Sequence, residues 1–307
     1  MRALLATIAL FLPTLLAAQD MPEGNTASCT APEGWSEITA SDSDFVVFGE
    51  LHGTNEAPAF ISRLLCAEAM RGQRLLLAVE HSSWQNPAWQ EAWALSHDAF
   101  EKALPPLGWQ GRNDGVASEA MFRLVLAAHS LRDRGAPIDI VAFNGARDAA
   151  QHARFAELPG QGPHEASQAE NIAKAAARKD YDRVIVLVGS LHAEIAPITL
   201  SVGGPEFEPM AMRLATYGSV LSLEAQHAGG SSWNCTLPPD TKLAAGQEVT
   251  SDMIECASHS ASADMKIERP PYIALRQFPN ARLRAFYDGF YWLGPITASP
   301  PAFPGPN

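Results

Sequence analysis

The chain has 307 residues, of which 47% are apolar and 18% charged, with 34 acidic against 22 basic side chains and a formal charge of −12. That composition is ordinary for a globular protein, and the length suits one large or two small domains. The acidic balance argues against a nucleic-acid binder, which needs clustered Lys and Arg, and against a ligand for anionic membranes.

Residues 1–18 read as a secretory signal peptide: Arg2, the apolar run Leu4–Leu16, and small residues before Gln19. No later stretch is long and apolar enough to cross a bilayer. The expected protein is therefore exported, periplasmic or secreted, without stable membrane insertion, and takes a small-molecule or peptide substrate. Its oligomeric state is unknown from sequence. Residues 19–43 are polar, with Gly, Pro and Ser, and read as an N-terminal arm.

Residues 44–297 read as a single α/β domain. Phe45–Gly49 is the first predicted strand, and Ala57–Arg71 the helix after it, with Phe60, Leu64, Leu65 and Ala69 at helical spacing. Arg74–Val79 (RLLLAV) is continuously apolar, as in a strand buried on both faces. A Trp-rich helix entered at Pro87 follows, then a loop over 104–117 carrying Arg112-Asn113-Asp114-Gly115. Ser118 caps a predicted helix running to Arg134. Pro137–Phe143 is the third strand, 164–179 a helix, and Val184–Val188 the fourth strand. Val220–Ala225 and Gly289–Ile296 are further strand candidates. Strands alternating with helices predict a mainly parallel sheet with flanking helices. Residues 227–270 read as a Gly/Ser-rich insertion, and 298–307 as a disordered Pro-rich tail.

Four cysteines suit an exported chain. Cys235 and Cys256 flank the insertion and are expected to be bridged, closing a loop of roughly 20 residues worth about 3 kcal/mol. Cys29 and Cys66 either form a second bridge or leave Cys66 as a buried thiol.

The strand ends carry the chemistry. FVVFGELHG (45–53) delivers Glu50 and His52, and AVEHS (78–82) delivers Glu80 and His81. Asn144 and Arg147 follow the third strand. VIVLVGSLHA (184–193) delivers His192, so Gly-x-Leu-His occurs twice. In parallel sheets, ligands bind beyond the carboxyl ends of the strands, so these side chains converge there. Two imidazoles and two carboxylates suit either a divalent ion that acidifies water or a histidine base oriented by a glutamate. Neighbours on a strand face opposite ways, so Glu80 is expected in the site and His81 behind it. Glu56 reads as a helix-start acid or a site residue. Trp84, Trp89, Trp93 and Trp109 suit core packing or an aromatic wall for substrate. Arg112 and Arg147 can hold a substrate carboxylate or neutralise local acids.

GELHG (49–53), AVEHS (78–82) and GSLHA (189–193) resemble the superfamily joining ChaN-like haem-binding proteins, TIKI and TraB metalloproteases and erythromycin esterases. The likeness spans roughly residues 45–200, and FYDGFYWLGPITASPP is similar to the closing strand of the esterase and ChaN-like branches. It implies an α/β fold with pseudo-repeated halves and a site between the two motifs. In the protease branch a divalent metal (Mn, Co, Zn or Fe) would fall on His52, His192, Glu80 and Glu50. The esterase branch implies His52 as a metal-free base with Glu50 and Glu80, and maps an arginine loosely onto Arg63. The ChaN-like branch implies haem or iron binding without catalysis, with Tyr217 as a candidate ligand. The chain departs from the family where an Arg-acid pair usually opens the helix before the second motif: it has His164-Glu165. The expected function is an exported hydrolase that activates water at His52, His192, Glu50 and Glu80, with Arg112, Arg147 and Trp84 near the substrate. The alternative is a haem carrier, or a scaffold that has lost activity.

Overall fold

The structure is a computed structural model that describes residues 29–200, 204–238, 241 and 253–305. The expected signal peptide and part of the expected insertion lie outside the described residues. The chain runs through α1 (Trp35–Thr39), β1 (Phe45–Glu50), α2 (Glu56–Met70) and β2 (Leu75–Ser82). It continues through α3 (Asn86–Trp93), α4 (His97–Ala103), α5 (Glu119–Asp133) and β3 (Ile138–Asn144). Next come α6 (Ala149–Phe155), α7 (Gly162–Ala176), β4 (Arg183–Gly189), α8 (Met210–Leu214) and β5 (Val220–Gln226). The last elements are β6 (Gly230–Thr236), β7 (Glu255–Ala261), β8 (Tyr272–Leu275), α9 (Ala281–Phe286) and β9 (Gly289–Trp292).

Seven strands form one sheet in the order β3-β2-β4-β1-β5-β9-β8, parallel except where β8 runs against β9. The mainly parallel sheet is the one predicted from strands alternating with helices. Alternate residues of β1 enter two cores, Val46 and Phe48 on one face and Phe45 and Val47 on the other. The first core is closed by Phe60, Leu64, Met121 and Leu124, from α2 and α5. The second is closed by Ile172, Met210, Leu214 and Leu283, from α7, α8 and α9. Burying both faces is what a parallel strand requires. The predicted cap also forms, with Ser118 Oγ accepting the Met121 N–H at 3.3 Å.

Several local expectations are corrected. The arm contains α1, whose Trp35 is buried and donates to Glu68 Oε1 at 2.8 Å. Residues 227–270 include a hairpin, in which β6 and β7 pair antiparallel with Cys235 opposite Cys256. Cys235–Cys256 is bridged as expected, and of the two readings of Cys66 the bridge to Cys29 is the one found. The hairpin docks on the first motif: the Trp233 N–H donates to the Gly53 carbonyl at 2.8 Å.

The tail is packed over its described residues, 298–305. Ser299 N–H donates to Gly53, Ala302 N–H to Ala117, and Gly305 N–H to Asn113 Oδ1. In return Gly111 N–H donates to Phe303, Glu119 N–H to Pro300, and Ala120 N–H to Ser299 Oγ. Proline supplies carbonyl acceptors and costs little entropy to order, so a Pro-rich strap suits loop N–H groups that need partners. Deleting residues 299–307 is expected to destabilise the protein by roughly 3–6 kcal/mol, at ~0.5–1 kcal/mol per lost hydrogen bond. Chemical denaturation measures this; an unchanged midpoint would show that the strap contributes nothing.

Candidate active site

β4 lies between β1 and β2, so the strand order brings three strand ends together. Glu50 pairs in register with Gly189. Here the repeated glycine gains a physical explanation. A Cβ on Gly49 would lie 2.8 Å from the Ala193 Cβ and 3.1 Å from the Ser190 Cα. A Cβ on Gly189 would lie 2.8 Å from His52 Nε2. Each motif's glycine makes room for the other motif. Hydrogen bonds lock the approach: Ser190 Oγ donates to the Glu50 carbonyl at 3.0 Å, and Tyr291 Oη donates to the Gly49 carbonyl at 3.0 Å. Tyr287 Oη holds the Ser190 carbonyl at 2.8 Å.

The side chains form one chain of contacts. Glu50 Oε1 lies 3.0 Å from His52 Nδ1, and His52 Nε2 lies 3.3 Å from Glu80 Oε2. That Glu80 oxygen also accepts the Gly189 N–H at 2.8 Å. Its other oxygen is 3.7 Å from His192 Nε2. His192 Nδ1 meets Glu165 at 2.8 Å, and Glu165 also accepts the Met210 N–H at 2.8 Å. The three glutamates are buried, whereas the His52 and His192 side chains keep 26% and 20% of their surface exposed, enough to meet solvent or substrate.

Electrostatics follow from this alternation. Burial alone would raise the Glu80 pKa, but the charges of His52 and His192 and the hydrogen bonds from His52 and Gly189 bring it down to about 2. Burial alone would lower His52, yet the Glu80 charge and the hydrogen bonds to Glu50 and Glu80 hold it well above 6.5. His192 is raised likewise: burial opposes the shift, and the Glu165 bond and Glu80 charge outweigh it. Glu50 is raised by burial, against the pull of His52. Glu80 contributes stability above its ordinary 4.5, lost as pH falls toward 2. His52 contributes below its ordinary 6.5, lost as pH rises through its folded value.

The structure places Glu50, His52, Glu80 and His192 along one line of side-chain contacts. Glu165 completes the chain of contacts but was not among the expected site residues; its only sequence signal was the acid of the His164-Glu165 pair at the start of α7. His81 faces away, buried between Trp89 and Trp109, with its pKa lowered to about 3 by burial. Trp89, Trp93 and Trp109 are core residues, and only Trp84 is an exposed tryptophan of that group, at 69%. Arg112 is tied to Asp114 at 2.7 Å, and Arg147 to Asp148 and Glu170 at 3.2 and 3.3 Å. Both arginines neutralise local acids rather than wait for a substrate. Glu56 binds the Thr297 N–H and hydroxyl, and Arg63 lies against the Phe60 ring. Neither belongs to the network. Tyr217 precedes β5, at the amino end of the sheet, where it lines a cleft with Asp44 and Arg183. It cannot share a haem iron with histidines at the carboxyl ends.

The expected metal set does not fit one ion. Donors held at ~2.1 Å from an ion lie at most ~4.2 Å apart. Glu50, His52, Glu80 and His192 supply no trio of donor atoms within even 4.8 Å of one another; among the described residues, His164, Glu165 and His192 do.

A parallel α/β fold with a histidine–glutamate network across its strand ends defines the class. No protein-family model and no curated protein matches the sequence. Solved structures do match the fold. A Bacillus cereus protein aligns over 87% of this chain and 92% of its own, with a TM-score of 0.56 and 10% identity. A mutant of the erythromycin esterase EreC, in its open conformation, aligns over 86% and 92%, with a TM-score of 0.55 and 12% identity. A succinoglycan biosynthesis protein aligns over 87% and 91%, with a TM-score of 0.55 and 8% identity. The chain shares the fold of these proteins, as the paired motifs led one to expect.

Gly189→Ala tests the interlock. Gly189 has φ −55° and ψ 142°, which alanine adopts freely, so only the contact with His52 changes. Stability should fall by no more than ~1 kcal/mol, while any turnover falls ~100-fold through displacement of the imidazole. Thermal melting beside a kinetic assay separates the two; equal activity would remove the packing role of this glycine.

Proposed function

We propose that the protein is an exported hydrolase that activates water against an ester or peptide carbonyl, with His52 as the base. The observation that carries this is the Glu50–His52 pair, in which Glu50 meets Nδ1 at 3.0 Å, Nε2 faces Glu80 at 3.3 Å, and the imidazole side chain keeps 26% of its surface exposed. A carboxylate on Nδ1 fixes the tautomer whose Nε2 lone pair takes a proton. Water gives that proton to Nε2 as its oxygen bonds to the carbonyl carbon. The imidazolium formed is stabilised by Glu50 and Glu80, then returns the proton to the leaving alcohol or amine. His192 lies across Glu80, with its Nε2 3.7 Å from the other carboxylate oxygen. The fold shared with an erythromycin esterase favours the ester. Trp84, exposed one turn beyond β2, suits an apolar face of the substrate. Two disulfides suit the oxidising compartment of an exported chain.

Tested on p-nitrophenyl acetate and on erythromycin, His52→Ala should lower kcat/KM ~1000-fold, within the range for general-base loss, without unfolding. Wild-type kcat/KM should rise with pH through an apparent pKa above 6.5. Glu80→Gln should move that limb to lower pH, because a negative charge beside the imidazolium has gone. Full activity in His52→Ala, or a limb that Glu80→Gln leaves in place, contradicts the assignment.

A further inference from the structure

The geometry points to a divalent transition-metal site formed by His164, Glu165 and His192, beside the Glu50–His52 pair rather than within it. These three side chains each offer a donor atom within 4.8 Å of the others. Two imidazoles and one carboxylate form a donor set that borderline ions such as Zn²⁺ and Co²⁺ accept.

The surroundings are built for ligands held in place. Glu165 is fully buried and fixed by the Met210 N–H at 2.8 Å. It lies 2.8 and 2.9 Å from His192 Nδ1, a spacing two ligands of one ion adopt. His192 Nε2 faces Glu80, the outer carboxylate partner that metal-bound histidines commonly have. His164 Nε2 contacts the Gln168 amide at 2.9 Å, and that amide also reaches Asn144 Oδ1 at 3.0 Å. Gln168 is fully buried, and its Oε1 has no hydrogen-bond partner. Turning the Gln168 and Asn144 amides together lets Oε1 accept from His164 Nε2–H. In that arrangement the His164 Nδ1 lone pair is free for a metal, and the unpartnered buried position passes to the Gln168 amide nitrogen. His164 stands where the resembling family has arginine, so the site belongs to this chain's own sequence.

The inference does not rest on hydrolysis, because binding is read without turnover. The purified protein, freed of metal by a chelator and dialysed, is titrated with Co²⁺ and then Zn²⁺, following visible d–d absorption and calorimetric heat. One Co²⁺ per chain, with d–d bands that Zn²⁺ abolishes, is expected. His164→Ala should weaken binding at least ~10-fold, the loss that even an outer partner causes, and Glu165→Gln should do the same. His52→Ala should bind as the wild type does. Circular dichroism checks folding; because Glu165 is buried, the partly exposed His164→Ala decides the matter if Glu165→Gln fails to fold. Absence of binding, binding unchanged in His164→Ala, or binding lost in His52→Ala overturns the site.

Discussion

The structure depends on the close approach of two strand-end turns that lack side chains where they touch. Gly49 and Gly189 allow neighbouring parallel strands to deliver their histidines side by side, and alanine at either would meet an atom at 2.8 Å. The approach also places the Gly189 N–H on Glu80, which holds a carboxylate from a third strand at the seam. A buried carboxylate is costly unless paired and hydrogen-bonded. Glu80 has both, so the arrangement behaves as one unit: moving either turn leaves a charge without partners.

Much of this was legible in the sequence. Continuous apolar runs marked strands β1 to β4, and parallel pairing made their carboxyl ends the place to look. The alternation of strand neighbours separated Glu80 from His81 correctly. What was not legible has local causes. Glu165 reaches the site from a helix, so no strand-end pattern flags it. Arg112 and Arg147 were open between a substrate carboxylate and local acids; Asp114 and Asp148 stand beside them in sequence, and only Glu170 is brought in by folding. The β6–β7 hairpin was hidden because β7 (ECASHSA) is polar or small on both faces and offers no alternation. The tail looked disordered by composition, yet its backbone groups meet the polar loop at 111–119 and the turn at Gly53.

The parts added around the sheet converge on the first motif. Trp233 of the hairpin and Ser299 of the tail both donate to the Gly53 carbonyl, one residue beyond His52. The disulfide opposite in the hairpin braces that contact. His52 is therefore fixed from three directions: Glu50 on its ring, Gly189 beneath it, and hairpin and tail on the turn that follows. Such over-determination lets an imidazole stay partly exposed and still hold one orientation.

The central claim is that two glutamates hold the His52 imidazole as a strong, oriented base. Nitrogen-15 NMR of the histidine rings, with His52→Ala to assign the resonance, measures this directly. A proton retained on Nδ1 and a midpoint above 6.5, falling in Glu80→Gln, is the predicted result. A midpoint at or below 6.5, or one indifferent to Glu80, would contradict it.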